Sequence, residues 1–120
     1  MAQKNQDFEM WANDDLAIRV ENIYNEATNA LIAVGDILGA RWSITPYNEE
    51  EPKLIEKDLT LGQILVPTDG TVVITLLASD TANLGGSKYS HQLKLEHGGG
   101  VQTACVGTMT INLQVTNNPL

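Results

Sequence analysis

The sequence predicts an all-β fold, an antiparallel β-sandwich of about seven or eight short strands. Three observations carry that prediction. Apolar and polar residues alternate with period two in several short windows. Turn signals such as Pro67-Thr68-Asp69-Gly70 and Gly98-Gly99-Gly100 separate those windows. Thr, Asn, Gly and Val are frequent, a composition suited to strands and tight turns more than to helices.

The elements follow in order. Asp7–Trp11 (DFEMW) reads as a short strand, and Ala12-Asn13-Asp14-Asp15 as a turn. Leu16–Tyr24 alternates, with Leu16, Ile18 and Val20 on the covered side. Asn25–Asp36 has residues for a short helix or a hairpin turn, and a turn leading into a strand is the expectation. Ile37–Ile44 is a strand that sets Ala40, Trp42 and Ile44 on one face and is closed by Pro46. Trp42 is the first candidate for a core anchor.

Asn48–Glu51 (NEEE) is a solvated charge run, without the spacing of oxygens that a calcium loop needs. Leu59-Thr60-Leu61 and Ile64-Leu65-Val66 are short edge pieces. After the Asp69-Gly70 turn, Thr71–Leu77 (TVVITLL) is apolar on both faces, as a central strand is. Ala78–Gly86 reads as a polar loop.

The segment from Lys88 to Val115 is one long hairpin. Tyr89, His91, Leu93 and Leu95 share one face, and Ser90, Gln92, Lys94 and Glu96 the other. The glycine run reverses the chain. Val101–Val106 then returns with Val101, Thr103 and Cys105 on one side, and Gly107 marks a bulge or bend. Met109, Ile111, Leu113 and Val115 form the last apolar stripe. One domain spanning residues 1–120 accommodates all of this, with residues 1–11 and 116–120 as candidate extended arms.

Composition narrows the function classes. Fifteen acidic against seven basic residues give a formal charge of −8, which repels nucleic-acid phosphates and anionic membrane surfaces. No partner of either kind is expected. The chain opens without the apolar core of a secretory signal, and no run is long enough to cross a bilayer, so synthesis in the cytosol is the expectation. A lone cysteine, Cys105, closes no internal disulfide and reads as a buried structural thiol.

The chemistry of the chain is sparse. His91 and His97, six residues apart on an extended strand, have Cα atoms separated by about 20 Å and cannot share one zinc ion. His91 is expected as a hydrogen-bonded interior histidine and not a ligand. The triple glycine lacks the Lys-Ser/Thr and the helix of a phosphate loop. No Gly-x-Ser-x-Gly elbow occurs, and Asp14, Asp36, Glu56 and Asp80 read as loop, cap and surface charges. The sequence therefore predicts no catalytic residue, no metal and no cofactor. Trp11 and Tyr47, each beside a loop, are the two candidate exposed aromatic binding residues, suited to stacking on sugar rings. A carbohydrate-binding sandwich is accordingly the alternative function.

Several short motifs carry a family resemblance: D-I-L-G-A-R-W at Asp36–Trp42, Lys57 in an acidic middle, T-V-V-I-T-L at Thr71–Leu76, D-T-A-N-L-G-G-S-K-Y-S-H at Asp80–His91 and G-T-M-T-I at Gly107–Ile111. In this order they resemble small immunoglobulin-like β-sandwich virion proteins of tailed bacteriophages, and are similar to the amino-terminal module of baseplate upper proteins. The resemblance implies an immunoglobulin-like fold and a structural accessory protein of the virion, in head decoration, spike base, tail or baseplate. Its implied partners are other virion proteins of capsid, neck or tail, and further copies of itself, a trimer among the implied states. It implies no enzyme activity, production in the host cytoplasm and residence in the virion. Ile37-Leu38 stands where Leu-Thr is common, and the carboxy-terminal fibre or receptor-binding extension of many relatives is lacking. Attachment is thus the expected task, ahead of host recognition.

Overall fold

The computed structural model describes residues 4–12, 14–26, 28–82, 84–98 and 100–113. Their strands are β1 (Lys4–Asn5), β2 (Phe8–Trp11), β3 (Leu16–Val20), β4 (Ile37–Pro46), β5 (Ile55–Asp58), β6 (Ile64–Thr68), β7 (Thr71–Leu76), β8 (Ser87–His97) and β9 (Gly100–Asn112). A single helical turn, α1 (Ala78–Thr81), joins β7 to β8. The large sheet has the order β1-β9-β8-β4-β5, with β2 continuing β1 along the same edge of β9. The small sheet is β3-β7-β6.

Two sheets exist because most strands have one oily face. Alternation in β4 buries Ala40, Trp42 and Ile44, and in β8 it buries Tyr89, His91, Leu93 and Leu95. The small sheet answers with Ile18, Val20, Ile64, Val72, Ile74 and Leu76. These side chains meet in one core. Burial of a residue such as Ile44, Ile74 or Leu93, each wholly inaccessible, contributes about 2 kcal/mol.

The strand order is that of an immunoglobulin-type sandwich: the last strand, β8, β4 and β5 form one layer, and β3, β7 and β6 the other. A tyrosine corner marks the entry to β8, where the Tyr89 hydroxyl donates to the Gly85 carbonyl at 2.7 Å. The cysteine that pairs two sheets in antibody domains stands two residues beyond that tyrosine. Here the position is His91, and Cys105 lies buried on β9.

Several expectations are corrected. Antiparallel pairing holds throughout except at the amino-terminal edge, where β1 and β2 run parallel to β9. From Lys4 onward the expected arm 1–11 is thus part of the chain's own sheet. The arm 116–120 and Val115 lie outside the described residues. The described residues of Asn25–Asp36 form neither a strand nor an α-helix. The segment makes a single bridge, Tyr24 to Leu31, and a 3-10 turn at Val34–Asp36, because Asp69 and Gly70 of the β6–β7 turn take up its backbone groups. Leu59–Leu61 is a 3-10 turn capped by Asp58, and the neighbouring edge strand is Ile55–Asp58. The loop after Leu77 contains α1, whose first turn Asp80 caps by accepting from the Leu77 amide at 2.7 Å.

The expected stripe of Val101, Thr103 and Cys105 is split. Leu93 pairs with Cys105 but Lys94 with Thr103, so Ala104 is an extra residue, and the bulge reverses which side faces inward. Gln102 is therefore buried and Val101 exposed, while Ala104 and Cys105 are both fully covered. The ladder runs without interruption through Gly107, opposite His91. Leu113, expected on the last apolar stripe, is exposed just past the end of β9.

Candidate functional site

The two histidines of the long hairpin serve separate buried networks. His91 sits on β8 with Trp42 beside it on β4, and the Trp42 indole N–H donates to His91 Nδ1 at 3.1 Å. The neutral ring then carries its proton on Nε2, which donates to the Gln6 carbonyl at 2.6 Å. Phe8 packs on the imidazole edge at 5.1 Å between centroids. Burial holds the His91 pKa below its ordinary value, against the opposing pull of Gln6 O and Asp7. Gly107 makes this reach feasible, since a Cβ there would collide with Gln6 O and press on His91 Nε2. His91 is the interior, hydrogen-bonded histidine that its apolar strand face predicts.

At the opposite end of β8, His97 Nε2 contacts Gln102 Oε1 at 2.8 Å, and Gln102 Nε2 donates to the Tyr24 carbonyl at 2.9 Å. The pair ties the β3–β4 loop to the hairpin. A third inner polar joint is the ion pair from Lys57 Nζ to Asp80 Oδ2 at 2.7 Å, with the lysine almost wholly covered. Among the described residues no three His, Cys, Asp or Glu side chains converge as metal ligands, and no buried side-chain polar atom is without a partner.

The outward face of the large sheet is different in kind. Side chains of β4, β8 and β9 form a polar groove of about 550 Å³, floored by Ser43, Thr45, Ser90, Gln92, Lys94 and Thr108. The β4–β5 loop, with Glu49, Glu50, Glu51 and Lys53, makes one wall, and Tyr47 stands at one end. A second depression beyond Tyr47 is bordered by Asp7, Phe8, Glu9, Lys88 and Thr110. Asp58, on the edge strand, has its carboxyl held below the ordinary value by the Thr60 hydroxyl and amide, with Arg41 adding to the effect. That geometry is a cap for the 3-10 turn.

The two aromatic candidates part company here. Both are about half exposed, Trp11 at 50% and Tyr47 at 48%. Tyr47 borders both depressions, whereas Trp11, at the end of β2 opposite Asn112, borders neither. The hydroxyl and amide floor escaped the sequence reading because polar residues on a strand's outer face look like ordinary solvated positions. Its only sequence signal is that Ser43, Ser90, Gln92 and Thr108 are small or uncharged where lysine and glutamate are commoner.

No family model matches the chain, and no curated protein matches it. Among solved structures it is similar to a 2,6-sialyltransferase of Vibrionaceae Photobacterium sp. JT-ISH-224, with 12% identity and a TM-score of 0.31, over 94% of this chain and 18% of that one. The chain thus spans under a fifth of that enzyme's length, and at so low a score the likeness carries no statement about this chain's activity.

Proposed function

We propose that this chain is a structural accessory protein of a tailed-bacteriophage virion, docking on capsid, neck or tail proteins in symmetric copies and catalysing no reaction. One observation supports the reading above the others. Three of the short segments that resemble phage virion modules contribute to the sandwich's internal joints. Trp42 closes the first motif and bonds His91, Lys57 of the middle segment pairs with Asp80, and Tyr89 of the fourth motif makes the corner with Gly85. A resemblance that falls on buried joints concerns the fold's construction and not only its surface composition.

The mechanism is geometric. A rigid sandwich offers loops and strand edges, and contacts that are weak singly sum over many copies on a particle. The acidic charge keeps free subunits soluble and apart from nucleic acid before docking. The test is co-sedimentation of the purified chain with virions, alongside light scattering of the free protein. Particle association and a defined symmetric oligomer, such as a trimer, are expected. A chain that stays monomeric and never joins particles removes the reading.

A further inference from the structure

The outer groove contains an ordered array of hydroxyl and amide groups. In register, Ser43, Gln92 and Val106 lie side by side across β4, β8 and β9, and Thr45, Ser90 and Thr108 form the next row. Rows on one face repeat about every 7 Å along the strand, and neighbours across the sheet lie about 4.8 Å apart. That grid is on the scale of a pyranose ring, so the hydroxyls of a single sugar can reach side chains of two strands.

The groups are already oriented. Ser90 Oγ accepts from the Asn48 amide at 2.9 Å, which leaves its O–H to donate outward. Thr45, itself buried, donates from Oγ1 to the Glu49 carbonyl at 2.6 Å and so holds the loop that forms the wall. Gln92 Nε2 donates to Thr103 Oγ1 at 3.3 Å, which fixes the amide plane and leaves its oxygen as an acceptor. Donors and acceptors held in place before contact lower the entropy lost on binding. Lys94, which follows Gln92 along β8, is the one charged group of the floor, and an aromatic ring stands at its end.

We propose that this groove binds a neutral glycan, with Tyr47 stacking on a pyranose face and Ser43, Ser90 and Gln92 meeting its hydroxyls. The charge of the lining, three carboxylates against two ammonium groups, disfavours acidic ligands: Glu49, Glu50 and Glu51 line the wall and repel sialic and uronic acids, while Lys53 is engaged with Glu51 at 3.1 Å and the Glu50 carbonyl, and Lys94 adds one positive charge at the floor. At about 550 Å³ and open along its length, the groove suits a few units of an extended chain better than an enclosed small molecule. The site is independent of virion docking, so each stands or falls separately.

The experiment probes the full chain against an array of neutral and acidic oligosaccharides, followed by calorimetric titration with the strongest neutral binder. Tyr47→Ala weakens affinity about tenfold and Tyr47→Phe preserves it. Gln92→Leu weakens it measurably, Trp11→Ala leaves it unchanged, and thermal melts of all variants overlay the parent. No retained neutral glycan, a preference for acidic glycans, or binding indifferent to Tyr47→Ala each overturns the proposal. Should the groove variants lose particle association while no glycan binds, the face is a protein contact and the glycan assignment is wrong.

Discussion

At the scale of single residues, His91 concentrates more of the fold's logic than any other side chain. It joins Trp42 in the core to Gln6 on the edge, and does so only as the neutral ring. Its pKa is lowered on folding, so the unfolded chain takes up a proton more readily than the native one. Stability from this group is therefore complete above the ordinary histidine value, near 6.5, and is lost progressively as pH falls through that value toward the lower native one. Urea unfolding at several pH values from neutral to mildly acidic should show this loss in the parent. His91→Gln, which keeps polar atoms but cannot titrate there, should show a flatter profile; an unchanged slope excludes His91 as the source. Gly107 permits a second test. Gly107→Ala places a methyl group where Gln6 O and His91 Nε2 already sit, and a cost of about 3 kcal/mol is expected. Hydrogen exchange should then show residues Gln6–Trp11 opening first, and protection equal to the parent would contradict this account of the glycine.

At the scale of elements, the joint between β5 and α1 explains what the sequence revealed and what it hid. Lys57 points inward from an edge strand, and Asp80 receives it while also capping the helical turn. Removing the carboxylate alone strands a buried ammonium, so Asp80→Asn should cost about 3 kcal/mol, and Lys57→Met distinctly less. Chemical denaturation of both variants compares the two, and equal costs would mean that the stranded ammonium carries no penalty of its own. This same pair made β5 illegible: in Ile55-Glu56-Lys57-Asp58 a buried lysine imitates a polar outward position, so period two disappears from view. Strands β4, β7 and β8 were legible because every inward residue is apolar, aromatic or one of the two histidines. In β9 the alternation was read correctly, but not its change of phase. A one-residue bulge at Ala104 leaves no mark in composition, and it moves Gln102 inside and Val101 out. Of the candidate site, Tyr47 was legible from its place beside a loop. The groove floor was not, because it exists only when three strands align Ser43, Gln92 and Thr108 from distant parts of the chain.

On the scale of the whole molecule, the question is how a two-sheet sandwich with open strand edges avoids pairing with its copies in the wrong way. Each edge is blunted differently. Strand β5 is short and charged, with Glu56 and Asp58 near Arg41. Strand β6 carries Pro67 and loses register between Leu65 and Thr68. The outer edge of β9 is covered by β1 and β2, and the same segment reaches across the molecule, where Gln6 Nε2 donates to the Arg19 carbonyl on the edge of β3 at 3.1 Å. Residues 4–11 thus cover the β9 edge and touch that of β3 at one carbonyl. Deleting residues 1–11 should uncover the β9 ladder groups that now bond Gln6 and Asp7, including the Thr108 amide held by Asp7 Oδ1 at 2.8 Å. Sedimentation velocity over a range of concentrations should then resolve a growing, polydisperse set of species, whereas the full chain should give one sharp boundary. A truncated chain that sediments like the parent would show that the amino-terminal strand is dispensable for edge protection, and that the charge of the remaining surface suffices to keep the copies in order.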